Sequence, residues 1–225
     1  MREKLIYLLG AAAAMLLVRN LYVMLTVLPD EAAQGMIYRI MFFHIPSWWT
    51  AGIAVMIGGV TSALYLGTGK LRYDAISVSV TEVAVAFLCM GLFTGMIWAR
   101  IIWGIWWTWD ARLTSALIMV LLYSGYLILR EGISDPTQRA KISAVFNIFA
   151  FADVPIVWYS IEWFRTQHPA PVLRGSGQID PSMKSTIYWN WLALLLLMVV
   201  FVLLRLRQEE MRRELDGLRR LAHAV

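Results

Sequence analysis

Long apolar segments alternate with short polar ones along almost the whole chain. Six of the apolar segments are long enough to cross a bilayer, since a helix needs about 20 mostly apolar residues to span a hydrocarbon core of roughly 30 Å. They lack the two-residue alternation of barrel strands. The pattern therefore predicts an all-α membrane protein with a six-transmembrane-helix bundle, at about residues 5–28, 48–68, 75–98, 113–129, 142–159 and 186–204.

The N-terminal segment, MREKLIYLLGAAAAMLLV, has the charged start and the apolar stretch of a signal peptide. Because its apolar run continues almost to Leu28, longer than the apolar region of a signal peptide, we interpret it as a retained first span. No repeat or shift in composition divides the sequence, which predicts a single integral membrane domain over residues 1–225.

Composition agrees with a lipid environment, since apolar residues make up 60% of the chain and charged residues only 16%. The net charge of +5 does not point to nucleic acid, because six basic residues lie in a tail at about residues 205–225, directly after the last apolar segment. That placement favours a membrane surface. The single cysteine, Cys89, excludes an intrachain disulfide. Without a Gly-rich phosphate loop, any ATP-driven step requires another subunit.

The distribution of Lys and Arg favours cytoplasmic termini. Thirteen basic residues flank the spans on the face of the termini, and cytoplasmic loops carry such an excess. The opposite face carries six, which are Arg39, Arg100, Arg112, Arg165, Arg174 and Lys184. This orientation predicts three outer connections, at residues 29–47, 99–112 and 160–185.

The histidines divide between the two faces. His44 and His168 fall in the first and third outer connections, whereas His223 falls in the tail on the opposite face. With six spans, His44 and His168 share a face whichever side is outside, so these two can meet. Each alone is also compatible with a hydrogen-bonded side chain at the membrane interface.

The second outer connection contains the tryptophan-rich segment WGIWWTWDARLTS. Tryptophan commonly anchors proteins at the membrane interface, but four within seven residues exceed that need: Trp103, Trp106, Trp107 and Trp109. If the segment forms a short surface helix, the first three share one face because they are three and four residues apart. They then make a broad apolar platform for a flat ligand.

Haem is a flat ligand that suits these residues. His44 and His168 can supply the two axial bonds to its iron while the porphyrin rests on the indoles. Its anionic propionates require cations, preferably the forked guanidinium of arginine, and we expect Arg39 and Arg112 first among the arginines of this face. Anchoring to lipid phosphate is the alternative role for these arginines.

Polar residues at the ends of spans and within them carry further predictions. Asp110 is expected to cap the N-terminus of the fourth span, a role that Thr108 could share, and an acid–base role for Asp110 has no partner nearby in sequence. Arg19 and Asp153 lie at similar depths in the first and fifth spans, which predicts that they pair. Pro155 should loosen the helix that leads to His168.

The third span carries two more features. Gly91 and Gly95 form a GxxxG motif, which predicts close packing of this span against another helix. Glu82 lies in the inner half of the same span, and the sequence identifies no partner for it.

The chain resembles the tryptophan-rich (WWD) haem-handling family of cytochrome c maturation proteins. The resemblance rests on WGIWWTWDARLTS, on the histidines of FFHIPSWW and TQHPAP, on the chain length and on the six-span layout, so it covers nearly the whole chain. It implies that His44 and His168 are axial ligands of haem b. It also implies a haem-presenting loop that includes Trp103, Trp106, Trp107, Trp109 and Asp110.

The resemblance further implies partners: an ABC-type ATPase with its membrane subunit, a very small membrane protein, and a periplasmic haem chaperone. The resulting expectation is a carrier in the bacterial inner membrane, not an enzyme, that binds haem at the periplasmic face and delivers it for c-type cytochrome biogenesis.

Two other functions remain open on the sequence alone. The first alternative is a cytochrome b-like electron-transfer subunit with a permanent bis-histidine haem, although such proteins bury their ligands within helices. A solute transporter would use polar or broken helices near the midplane, and only Arg19, Asp153 and Pro155 hint at these.

Overall fold

Seven α-helices make up most of the computed structural model, which describes residues 2–168 and 179–223. α1 (Arg2–Tyr22) ends in a π-helical turn (Val23–Val27), and a 3-10 helix (Met36–Ile40) leads into α2 (Met41–Thr68). The remaining helices are α3 (Leu71–Ile102), α4 (Ala111–Glu131), α5 (Pro136–Phe151), α6 (Asp153–Trp163) and α7 (Pro181–His223).

Six segments of the described chain are long and apolar enough to cross a membrane, which confirms the predicted architecture. They are Arg2–Val27, Met36–Thr68, Leu71–Ile102, Ala111–Glu131, Pro136–Trp163 and Pro181–Arg219. Because the number is even, the start of α1 and the end of α7 lie on one face of the bundle, which we call the terminal face. The opposite face, where α2 and α4 begin and α3 and α6 end, is called the site face. Arg174, counted above, lies outside the described residues.

The fifth span consists of two helices. α5 ends at Phe151 and α6 begins at Asp153. Pro155 is the third residue of α6 and lacks the N–H that would bond to the carbonyl of Phe151 in a continuous helix. The predicted loosening at Pro155 is confirmed, and it takes the form of a break at Ala152.

The predicted pair of Arg19 and Asp153 is wrong, because the two residues lie on helices with different neighbours. α1 packs against α7, whereas α6 packs against α4. Arg19 donates to the side chain of Asn20 at 2.9 Å and lies over the ring of Trp189. Asp153 is buried, and its Oδ2 makes no hydrogen bond within the described part of the chain. Similar depth in the bilayer therefore did not mean proximity.

The centre of the bundle is the pair α2 and α3. α7 packs across α1, α2 and α3, while α4 packs against α3, α5 and α6. The main apolar core joins side chains from all of these central helices, for example Val55, Leu88, Tyr123 and Met198.

A buried ion pair joins α3 and α4 near the terminal face. Arg130 binds Asp74 in a bidentate manner, with Nη1 to Oδ1 at 2.6 Å and Nη2 to Oδ2 at 3.0 Å. Arg213 of α7 donates to the same Asp74 Oδ2 at 2.7 Å. The side chain of Asp74 is only 4% exposed, so its charge depends on these two arginines.

The basic tail continues α7 as a helix, and its arginines contact acidic side chains of other helices. Arg205 binds Glu82 of α3, which is the partner that the sequence did not identify. Arg207 binds Glu3 at 2.8 Å, and Arg212 binds Glu131 at 3.1 Å. The tail thus contacts protein carboxylates, and its last two residues, 224 and 225, lie outside the described part of the chain.

Replacing Asp74 by Asn should destabilise the protein strongly, because it leaves the buried Arg130 without its counter-charge. We expect the free energy of unfolding to fall by about 3–5 kcal/mol, as for other buried pairs that lose one partner. Denaturant titration in detergent, followed by circular dichroism, measures the change.

The matched control is Glu131→Gln, which removes the exposed pair with Arg212. Its cost should stay below about 1 kcal/mol. Equal losses in the two variants would contradict a special role for the buried pair.

Candidate functional site

His44 lies in the first turn of α2, and the prediction that placed it in the preceding connection is wrong. The helix starts earlier than its apolar run because the 3-10 helix Met36–Ile40 leads directly into it. The His44 ring is partly buried, and its Nδ1 lies 3.1 Å from the Thr94 hydroxyl of α3. Its Nε2 makes no hydrogen bond within the described part of the chain.

Two glycines of α3 provide the space that His44 and Trp48 occupy. A Cβ atom on Gly95 would lie 2.8 Å from Cε1 of His44, and a Cβ atom on Gly91 would lie 2.8 Å from Nε1 of Trp48. Real Cβ atoms essentially never come this close to another heavy atom. The predicted role of the GxxxG motif in close packing is confirmed, and the side chains packed against it are His44 and Trp48.

Two tryptophans outside the tryptophan-rich segment contact His44 edge-on. The ring centroid of Trp48 lies 6.4 Å from that of His44, and the centroid of Trp98 lies 5.8 Å from it. Trp98 is held by a 2.8 Å hydrogen bond from its indole N–H to the side chain of Gln34. Sequence reasoning missed both, although the four-residue spacing of His44 and Trp48 matches that of Gly91 and Gly95.

The turn of α2 that carries His44 is also tied to α7. Pro46 lies inside α2 and has no N–H, so the carbonyl of Phe42 lacks its partner within the helix. Asn190 of α7 donates to that carbonyl at 2.9 Å and is itself fully buried. This bond holds the first turn of α2 from a second side, and no pattern in the sequence predicted it.

The tryptophan-rich segment does not form the predicted surface helix. α3 ends at Ile102, and Gly104 adopts a positive φ of 75° that an α-helix cannot continue through. Residues 103–110 therefore run as a turn and an extended segment up to α4. The expected common face of Trp103, Trp106 and Trp107 is wrong for this reason.

The segment nevertheless displays indoles on the site face. Trp109 is 77% exposed and Trp106 is 54% exposed. Trp107 is partly buried and packs edge-on against Trp109, with ring centroids 5.8 Å apart. Its indole N–H is buried and makes no hydrogen bond within the described part of the chain. Trp103 is partly buried at the end of α3.

Asp110 has two structural roles. Its Oδ1 accepts from the N–H of Leu113 at 2.8 Å, which confirms the predicted N-cap of α4. Its Oδ2 accepts from the Thr166 hydroxyl at 2.7 Å and from the N–H of Gln167 at 3.3 Å. Asp110 thus joins the end of the tryptophan-rich segment to the residues before His168.

Thr108 does not share the capping role. Its hydroxyl is buried and forms no hydrogen bond to any described residue. Of the two predicted caps of α4, Asp110 and Thr108, only Asp110 caps the helix.

His168 lies in the same region as His44. Its N–H donates to the hydroxyl of Thr166 at 3.0 Å, so its backbone is linked through Thr166 to Asp110. The imidazole of His168 and the guanidinium of Arg112 both act electrostatically on His44. One charged or titratable side chain from each of the other two outer connections therefore acts on His44.

The four arginines near the site differ in what they bind. Arg39 is largely committed to the backbone at the end of α1, because it donates to the carbonyls of Met24 and Leu28 and pairs with Asp30. Arg112 donates to the carbonyl of Val157 in α6. Arg100 lies over the ring of Trp106, and Arg165 is exposed.

The ligands available here do not resemble a conventional metal centre. No group of three or more His, Cys, Asp or Glu side chains able to hold an ion occurs among the described residues, whereas a bare zinc ion usually takes three or four protein ligands.

Comparison with known proteins gives consistent similarities. A family profile described as Heme exporter protein C matches residues 1–220. The Heme exporter protein C of Bradyrhizobium diazoefficiens is 35% identical over 215 residues, which are 93% of this chain and 80% of that protein. The Heme exporter protein C of Escherichia coli is 31% identical over 182 residues, 80% of this chain and 73% of its own length.

Replacing Asp110 by Asn separates its two roles, because the amide keeps one oxygen acceptor where the carboxylate has two. Asparagine is a good N-cap, so the first turn of α4 should hold. The amides of Gln167 and His168 should exchange roughly tenfold faster, since a hydrogen bond to a carboxylate contributes about 1.5 kcal/mol. Hydrogen–deuterium exchange with mass spectrometry measures both regions.

Asp135→Asn is the matched control, since Asp135 caps α5 by accepting from Gln138 N–H at 2.6 Å. It should leave exchange at residues 164–168 unchanged. Unchanged exchange there in Asp110→Asn as well would show that the carboxylate does not hold this segment.

Proposed function

This chain belongs to the Heme exporter protein C family, and we propose that it binds haem at the site face and passes it to an acceptor protein. The acceptor uses it for the assembly of c-type cytochromes. The observation that carries the proposal is that His168, whose backbone is linked through Thr166 to Asp110 of the tryptophan-rich segment, acts electrostatically on His44. Haem is the cargo in this function.

The proposed axial ligands are the imidazoles of His44 and His168. His44 has its Nδ1 engaged by Thr94, while Nε2 makes no hydrogen bond to a described residue and keeps its lone pair for iron. His168 lies near enough to act on the charge of His44. Two neutral imidazoles complete the coordination of a haem iron. This donor set fits non-covalently held haem b.

The indoles of the tryptophan-rich segment are the proposed contact for the porphyrin. Trp106 and Trp109 expose large apolar surfaces, and such exposed patches commonly mark interaction sites. The segment is a connection and not a helix, and we propose that its exposed indoles contact one side of the porphyrin. One edge of the haem can then stay open to the acceptor.

The propionates are proposed to bind Arg112 and the indole N–H of Trp107. The guanidinium of Arg112 acts electrostatically on His44, and a guanidinium can bind a carboxylate through two hydrogen bonds. Trp107 has a buried donor without a partner in the described residues. Arg39 is the weaker candidate, because it already donates to two carbonyls and Asp30.

The charge distribution and the family support a proposal for the sidedness and the partners of the protein. Thirteen basic residues on the terminal face against six on the site face support cytoplasmic termini in a bacterial inner membrane and a site that faces the periplasm. We propose a periplasmic haem chaperone as the acceptor. An ABC-type ATPase with its membrane subunit and a very small membrane protein complete the proposed complex, in which this chain has no enzymatic step.

Loss of either proposed axial ligand should lower the haem content of the purified protein. We expect His44→Ala and His168→Ala each to retain less than about a tenth of the wild-type haem, because losing a bond to iron costs more than about 1.4 kcal/mol of affinity. The absorbance spectrum measures haem content and the bis-histidine Soret band.

His223→Ala is the control, since parity puts residue 223 on the terminal face. A wild-type protein without haem, or an unaltered Soret band in both site variants, would refute the bis-histidine proposal.

The tryptophan-rich segment should matter more for delivery than for retention of haem. With Trp106 and Trp107 both replaced by Ala, we expect haem to remain bound because both histidines are present. The yield of c-type cytochromes should fall severalfold in cells that depend on this protein. Haem staining of membrane proteins measures that yield.

Trp163→Ala is the matched control, since Trp163 is 58% exposed at the end of α6 and lies outside the segment. Normal cytochrome yield in the Trp106 and Trp107 double variant would count against a role of the tryptophan-rich segment in haem delivery. A haem that stays bound in wild type and is never transferred would favour the cytochrome b-like alternative.

A further inference from the structure

Thr94 of α3 contacts the Nδ1 atom of the His44 ring. Its Oγ1 lies 3.1 Å from Nδ1 of His44. The same hydroxyl lies 2.7 Å from the carbonyl oxygen of Met90 and 3.1 Å from that of Gly91. Thr94 therefore stands between the backbone of its own helix and the imidazole.

The proton on the Thr94 hydroxyl is committed to the helix. A hydroxyl has one proton, and both carbonyls that it faces can only accept a hydrogen bond. Oγ1 can then offer Nδ1 only a lone pair, so Nδ1 must be the donor.

A neutral imidazole carries its proton on one nitrogen and a lone pair on the other. With the proton on Nδ1, the lone pair is on Nε2, which is the atom without a hydrogen-bond partner among the described residues. Gly95 makes this ring position possible, because a Cβ there would lie 2.8 Å from Cε1. Thr94 and Gly95 of α3 thus contact the side of the imidazole that carries Nδ1 and Cε1. The Nε2 atom is left without a hydrogen-bond partner among the described residues.

We propose that Thr94 is a positioning residue that holds His44 as the Nδ1-protonated tautomer and so presents Nε2 to haem iron. The inference rests on the proposed haem function, which it deepens. Hydrogen bonds to the second ring nitrogen of a metal-ligating histidine fix its tautomer and orientation and strengthen it as a ligand, and their loss costs about 10- to 100-fold in metal affinity.

The test compares three variants purified in detergent. Thr94→Val keeps the shape and the β-branch but removes the hydroxyl, and Thr94→Ser restores the hydroxyl. Thr61→Val is the matched control, because Thr61 of α2 makes the same two backbone bonds, to the carbonyls of Ile57 at 2.7 Å and Gly58 at 3.1 Å. It lacks a ring partner in the described part of the chain.

Two measurements are made on each variant. ¹⁵N NMR of histidine-labelled, haem-free protein identifies the tautomer of His44, with His44→Ala assigning its signals among the three histidines. Titration with haem, followed by the Soret band, gives the affinity. A shift in His44 tautomer is a readout that a loss of helix packing alone would not produce.

We expect the Nδ1-protonated signature in wild type, Thr94→Ser and Thr61→Val, and a shift towards the Nε2-protonated form in Thr94→Val. Haem affinity should fall about 10- to 100-fold in Thr94→Val only. The proposal is overturned if Thr94→Val keeps the wild-type tautomer, if its haem affinity is unchanged, or if Thr94→Ser is equally impaired.

The two proposals fail in different ways. A wild-type protein that shows the expected tautomer but binds no haem refutes the haem function, and with it the purpose assigned to Thr94. Haem binding that is lost in His44→Ala but unaffected in Thr94→Val refutes only the role of Thr94.

Discussion

The close contact of α2 with α3 over Gly91 and Gly95 is the interaction on which the rest of the site depends. Helices in lipid gain little from hydrophobic association, so their contacts rely on close packing and hydrogen bonds. Here two glycines four residues apart receive His44 and Trp48, which are also four residues apart. The same approach brings the His44 ring within hydrogen-bonding distance of Thr94. One helix pair thus sets the position, the orientation and the protonated nitrogen of the proposed ligand.

α7 supports this helix pair from one face of the bundle to the other. Its 43 residues correspond to about 65 Å of helix, roughly twice the hydrocarbon thickness. Near the site face, Asn190 bonds the Phe42 carbonyl that Pro46 leaves open. At the terminal face, Arg213 joins the buried pair of Asp74 and Arg130. Polar contacts thus tie α7 to the bundle at both ends, while the core between them is mostly apolar.

The sequence predicted features that depend on local chemistry and missed those that depend on helix neighbours. The spans follow from apolar length, the cap at Asp110 from residue type and the break near Pro155 from a missing N–H. The pairing of Arg19 with Asp153 failed because depth does not determine which helices touch. The surface helix failed because a positive φ at Gly104 ends the helical path. The contact of Thr94 with His44 could not be predicted, because a single threonine in an apolar span has no distinguishing pattern. Its importance depends on the packing of α2 against α3.

The two proposed iron ligands are held in different ways, and this asymmetry suits a carrier. His44 lies in a helix and packs against Gly95, and its Nδ1 is within hydrogen-bonding distance of Thr94. The backbone of His168 is instead linked through Thr166 to the carboxylate of Asp110, outside any helix. If both ligands were built into helices, releasing haem would require moving two spans. With one proposed ligand on a connection, weakening the bond that His168 would make to iron would not require a span to move, and His44 would keep its place for the next haem.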